Sequence, residues 1–221
     1  MVRVMVEQGK KKVVAVAFDW PGWERVGKTE AAALEALEAY RPRYAVVADL
    51  AGQGEAFAAD GPLQVVERRA GTSTTDFFGI STVSAAAEAE TPDVAECERK
   101  IALLRSAWAT FDATWPAISA ALRKGRRGSG RDRDQVVRHT IGSEPQMAKK
   151  VGVVTDLATL RTPAGLAAHR DAFVEGIRAV RARGGMARTW TLQFVIRRSC
   201  YHVLDHLWEL EDKDLTGQPP G

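Results

Sequence analysis

His202 and His206 stand four residues apart in SCYHVLDHLWELED. On a helix such a pair shares a face, with Cβ atoms about 5–6 Å apart, so two imidazole nitrogens can converge on one cation at about 2.0–2.1 Å each. His139, in VVRHTIGSE, offers a third imidazole from a separate segment. It shares a helical face with Val136, Ser143 and Met147, which would turn it inward. Three neutral imidazoles suit zinc, nickel or iron and leave positions open for water or substrate. The bland alternative for the pair is two ordinary surface or core histidines. His169, in AAHRDAF, has no partner at ligand spacing and is expected at the surface.

The neighbours of the pair sort by angle. Relative to His202, His206 lies at about +40°, Glu209 at about −20° and Arg198 at about −40°. Glu209 would orient a metal-bound water, serve as a fourth ligand or form a salt bridge, the last being the preferred reading. Arg198 would hold an anionic group of a substrate or pair with an acidic residue at the surface. Cys200 falls at about 160°, across the helix, and reads as a small buried hydrophobe. Cys97 receives the same reading.

The elements that must carry these residues form a helical second half. Thr91, Pro92 and Asp93 make a helix start, with Thr91 as the expected N-cap. Apolar residues then recur at alternating spacings of three and four from Val94 through Cys97, Ile101, Leu104, Trp108, Phe111, Trp115 and Ile118 to Leu122. That is a bundle seam, with Pro116 as an expected kink. Further helices are expected over 132–151, 163–184 and 190–212, with Gly184-Gly185 separating the last two. Trp108, Trp115, Trp190 and Trp208 are expected in the core. Arg123–Arg131 (RKGRRGSGR) is basic and rich in glycine but has no aromatic residue for stacking. It reads as a solvated mobile loop, so nucleic-acid binding is not expected.

This half resembles the DinB-like superfamily, whose fold is shared with metal-dependent thiol transferases. That family carries one histidine late in its second helix and an H-x-x-x-H pair in its fourth, and the matching positions here are His139, His202 and His206. The resemblance covers residues 90–213. It implies an up-down four-helix bundle over 91–215, a three-histidine site for a divalent metal (zinc or nickel), and a low-molecular-weight thiol such as mycothiol or bacillithiol as cosubstrate. A small-molecule substrate is implied, and a homodimer is compatible with it.

The first half reads as mixed α/β. Val13–Phe18 and Leu63–Arg68 suit strands. Thr29 is a good N-cap for EAAALEALEAY, Pro42 ends or kinks that helix, and Tyr44–Leu50 is read as a further helix in preference to a strand. Residues 70–92 are rich in Gly, Ser, Thr and Ala and are expected as an interdomain connection, with 81–90 as the linker. Gly22–Thr29 (GWERVGKT) satisfies the phosphate-loop pattern literally. The bulky Trp23, Glu24 and Arg25, and the negative charge of Glu24 beside phosphates, argue against that reading. The stretch FDWPGWERVGKTEAAALEAL instead resembles HicB-like antitoxin domains, small partial RNase H-type modules. The resemblance implies a HicB-like α+β module over 1–80 and, as an alternative function, a non-catalytic protein that binds a partner protein or RNA while the bundle is structural.

Composition bounds these readings. The chain has 221 residues, 31 basic against 28 acidic side chains, a net charge of +3 and two cysteines. The basic excess is too small to imply nucleic-acid binding, and two cysteines make no disulfide framework. No run approaches about 18 apolar residues, so no membrane span is expected, and no membrane partner is expected either. A secretory signal is not expected, and a cytoplasmic location is. The tail TGQPPG, 216–221, is expected to be disordered.

Overall fold

A computed structural model describes residues 1–125 and 129–217. An N-terminal region built on a small sheet is followed by a mostly helical region. The sheet has the order β3-β2-β1-β4. β1 (Val2–Gln8) runs antiparallel to β2 (Val13–Val16) and parallel to β4 (Leu63–Ala70). β2 in turn pairs with β3 (Glu24–Gly27) in antiparallel register, Val13 facing Gly27 and Val16 facing Glu24. β3 is a four-residue strand, ERVG, with one apolar residue, whereas β1 places Val2, Val4 and Val6 on one face of the sheet.

The crossover from β3 to β4 consists of α1 (Glu30–Ala39), α2 (Arg41–Leu50) and α3 (Gly54–Ala59). Thr29 caps α1 by accepting the Ala32 amide at 3.2 Å, and Pro42 sits in the first turn of α2, where a missing N–H costs nothing. The literal phosphate-loop pattern is thereby dissolved. Glu24–Gly27 is a strand, and Trp23 is fully buried with its indole N–H donating to the Leu37 carbonyl at 2.8 Å. An extended backbone cannot wrap its amides around phosphates.

β1 and β2 are buried on both faces, so the sheet needs cover on both. α1 packs on one face. On the other, Met5, Val14, Val16 and Phe18 pack against Ala85, with Val83 and Ala87 beside them. The 70–92 stretch, expected as a connection, is therefore packed. It contains α4 (Ser73–Phe78) and a 3₁₀ turn at Ala86–Ala89, and it buries Thr75, Ser81 and Glu88.

The helical region contains α5 (Val94–Thr114), α6 (Arg133–Ala148), α7 (Pro163–Ala182) and α8 (Leu192–Lys213), and α8 packs against each of the other three. Asp93, not Thr91, caps α5 by accepting the Glu96 amide at 2.8 Å; Thr91 instead donates to the Gly184 carbonyl at 2.6 Å. Cys97, Ile101, Leu104, Trp108 and Phe111 form the buried seam. The helix ends ahead of Pro116, so Ile118 and Leu122 reach the core from irregular chain, and Val94 is exposed. Trp108 and Trp208 are buried; Trp115 and Trp190 lie only partly so. One cluster of buried side chains runs from Val2, Val4 and Val6 through Trp23 and Tyr44 to Leu104, Val136, Ile177 and Leu204, joining the two regions.

A further expectation changes. His169 is buried, with Nδ1 at 2.8 Å from the Thr155 hydroxyl, because α7 turns it toward the interior beside Arg170. The described part of the 123–131 run is irregular and mostly exposed, as expected of a solvated loop, and it has two anchors: the Arg123 amide donates to the Lys213 carbonyl at 2.8 Å, and Lys124 pairs with Asp132 at 2.6 Å. Residues 126–128 of that run, and the expected disordered tail from 218 on, lie outside the described residues. No described helix is long and apolar enough to cross a membrane.

A tight approach locks β3 to α8. Gly22 has φ +94°, and a Cβ there would lie 2.9 Å from the Cys200 Cβ and from its carbonyl carbon. Gly22→Ala is expected to destabilise the protein by about 1–3 kcal/mol, combining left-handed strain with a backbone clash. Urea unfolding measures it; a loss below about 0.5 kcal/mol, the range of neutral surface changes, contradicts the packing described.

Candidate metal centre

α8 buries nearly every residue from Leu192 to Leu210. The exceptions are partly exposed and include Arg198, His202, Asp205, His206 and Glu209, which form one stripe at helical spacing. α6 runs beside this stripe and presents His139 to it. One potential ligand atom from each of His139, His202 and His206 lies within 4.8 Å of the others. The Nε2 atoms of His139 and His202 are 3.3 Å apart, and ring centroids are 4.7–5.2 Å apart. His139 is exposed on its outer side rather than turned into the core, while Val136 on the same helix is fully buried.

Glu209 sets the tautomer of His206. Its Oε2 lies 2.8 Å from His206 Nδ1 and 2.7 Å from an Arg131 nitrogen, and its Oε1 accepts from Lys213 at 2.7 Å. Burial opposes ionisation of Glu209, but the His206, Lys213 and Arg131 contacts outweigh it and bring the carboxyl down to about 2. An ionised carboxylate only accepts, so His206 Nδ1 carries a hydrogen, and Nε2 is the nitrogen left to act as a ligand. Arg131 also lies 3.3 Å from His206 Nδ1; since both are donors, they share the Glu209 oxygen and do not bond each other.

Burial lowers the His202 imidazole to about 3, helped by the charges of His206 and His139. Burial, followed by the charges of His206 and Arg131, lowers His139 as well. His202 is therefore neutral at ordinary pH, the state a ligand must have. The donor set fits a divalent cation of intermediate softness: all-imidazole, with a carboxylate behind one ring.

Arg198 makes none of the ligand contacts. Its guanidinium lies over the Tyr201 ring, 5.1 Å from the centroid, with Nη1 buried and without a hydrogen-bond partner. Cys97 and Cys200 are buried, and burial raises both thiols. Two residues of the site escape sequence reasoning. Lys213 is four residues from Glu209, a spacing that signals an ion pair on any helix. Arg131 precedes α6, and nothing local connects it with Glu209. The triad stands apart from the cleft of about 500 Å³ lined by Phe18, Trp20, Glu90, Arg99, Lys100 and Gln193. Comparisons with family models, curated proteins and solved structures found no match for this chain.

Proposed function

We propose that this chain is a DinB-like protein whose His139, His202 and His206 hold a divalent cation, zinc or nickel, and that it acts as a metal-dependent transferase using a low-molecular-weight thiol. The observation that supports this reading is the meeting of three imidazoles from α6 and α8 within 4.8 Å. Ligands about 2.0–2.1 Å from a tetrahedral zinc lie about 3.4 Å apart, and the His139–His202 separation of 3.3 Å is close to that edge. His206 offers a ligand atom within 4.8 Å of both.

Three protein ligands leave room for a further group, and a bound divalent cation lowers the pKa of a thiol or water. The chain's own residues then have simple tasks. His202 is held neutral by its surroundings, His206 is oriented by Glu209, and Glu209 is fixed by Arg131 and Lys213. The exposed side of His139 leaves an approach for a small molecule such as mycothiol or bacillithiol. Cys97 and Cys200 play no part, since their thiols are buried and held protonated. The same proposal takes 91–215 as the up-down bundle and 1–80 as the HicB-like module that supports it.

Elemental analysis of purified, metal-replete protein tests the reading. About one equivalent of metal is expected in the parent and almost none in His202→Ala, which loses one of the three donors. A metal-free parent after repletion, or equal metal in the variant, overturns it. Turnover with a panel of thiols and electrophiles then separates a transferase from a site that only binds metal.

A further inference from the structure

One end of the sheet carries a patch that the histidine site does not use. The turn between β1 and β2 is Lys10-Lys11-Lys12, and the Val13–Gly27 pairing brings Lys28 to the same end. α4 is tied to this turn. The Asp76 carboxylate accepts the amides of Lys10, Lys11 and Lys12 at 3.1, 2.7 and 3.2 Å, and Lys12 Nζ donates to the Phe77 carbonyl at 2.9 Å. These bonds hold Phe77 and Phe78 out beside the lysines, 75% and 63% exposed. Their rings pack edge to face with centroids 4.6 Å apart. Val26, also exposed, extends the apolar part: a Cβ on Gly79 would lie 3.1 Å from a Val26 methyl and 3.3 Å from Lys12 Cδ. Among the described residues, the ammonium groups of Lys10 and Lys28 have no carboxylate partner, and Lys11 shares the single charge of Asp76.

We propose that this corner docks on a membrane surface rich in anionic lipid, with Phe77 and Phe78 entering the interface and Lys10, Lys11 and Lys28 facing the headgroups. Adjacent exposed aromatic rings beside an excess of positive charge, several lysines against the one carboxylate of Asp76, are a combination suited to peripheral membrane binding. The choice of cation points the same way. The chain has 22 arginines and nine lysines, yet the β1–β2 turn and the residue that follows β3 carry only lysine, while the arginines at the end of β4 are paired with Glu30 and Glu67. Arginine presents a planar fork for fixed, bidentate partners; lysine is a point charge on a flexible stem, suited to a laterally mobile layer of charge. A nucleic-acid strand would ask for ring faces open to stacking along a basic groove, whereas these two rings pack on each other. With no described helix able to span a bilayer, the contact is peripheral.

Co-sedimentation of the full chain tests this, with vesicles of phosphatidylcholine alone and of phosphatidylcholine containing about 30% phosphatidylserine. Binding is expected only to the anionic vesicles, and is expected to disappear at about 1 M salt, where charges are screened within about 3 Å. Lys10→Glu/Lys11→Glu is expected to weaken it by about 30-fold or more, from the lost attraction of two lysines. Phe77→Ser/Phe78→Ser is expected to weaken it at least as much. Both variants change exposed side chains only, and their melting curves should match the parent's. A parent that stays in the supernatant with anionic vesicles, or variants that partition as it does, overturns the proposal. So does binding of a single-stranded oligonucleotide without binding of vesicles.

Discussion

Arg197→Met is expected to destabilise the protein by about 3–5 kcal/mol at neutral pH, one of the two largest effects we anticipate, because it strands two buried carboxylates. Arg197 is fully buried in α8. It donates to Glu24 of β3 at 2.6 Å, to Glu88 at 2.7 and 3.1 Å, and to the Val83 carbonyl at 2.8 Å. It therefore ties the helical region to the sheet and to the segment that covers the sheet. Glu24 and Glu88 are equally buried, and Glu24 keeps one oxygen without a partner. Methionine fills similar space but supplies no charge.

The pH dependence follows from Glu24. Burial raises its carboxyl above the ordinary 4.5, and the charges of Arg197 and Arg198 only partly offset this. A carboxyl raised in the folded state holds its proton more tightly there than in the unfolded chain. Its contribution is thus fully present below about 4.5 and is lost as pH rises through the folded value. Removing Arg197 raises that value further. The deficit of Arg197→Met should therefore be smaller at about pH 5 than at about pH 8, and urea unfolding at the two values reads the difference. A deficit that is constant with pH, or largest in acid, contradicts the account.

The second large effect expected is stabilisation by zinc at the proposed site, which would depend on Glu209. A cation present at 1,000 times its Kd stabilises the native state by about 4.1 kcal/mol. Glu209→Ala removes the acceptor that orients His206, and such a loss lowers metal affinity by about 10–100-fold. At fixed zinc the stabilisation should then fall by about 1.4–2.7 kcal/mol. The metal-free variant should change by less than about 1 kcal/mol, since the Arg131 and Lys213 pairs are partly exposed. Melting curves with zinc, and again with chelator, separate the two. Chelator should lower the melting temperature without unfolding the protein, because Leu204, Leu207 and Leu210 seat α8 in the core independently of the triad. Outright unfolding by chelator, or a Glu209→Ala protein stabilised as much as the parent, counts against this site.

The legible parts of the molecule rest on local interactions. Thr29 caps a helix where a short hydroxyl precedes a helical run, and Pro42, expected to end or kink that helix, stands in the first turn of the next. The apolar spacing from Cys97 to Phe111 becomes a buried face. The strands of β1 and β3 are missed because they draw their cover from distant segments: 81–89 on one face of the sheet, α1 and the helical region on the other. Small polar residues in 70–92 look like a flexible connection. Their hydroxyls instead serve the buried Glu7 carboxylate, through Thr75, Ser81 and Thr82. His169 is misplaced for a related reason, since one short helical window does not reveal which side of α7 faces inward.

Sequence alone determined the pairing of His202 with His206 and the nearness of Glu209, because residues three, four and seven apart share one side of any helix. It also marked Cys200 as lying across from them. Only the tertiary structure decided that His139 meets that pair, that Arg131 closes on Glu209, and that Arg197 bridges two buried glutamates. Each of those contacts joins residues tens of positions or more apart along the chain. Such contacts form when apolar faces of separate elements are buried together, and local propensity carries no information about which faces those are.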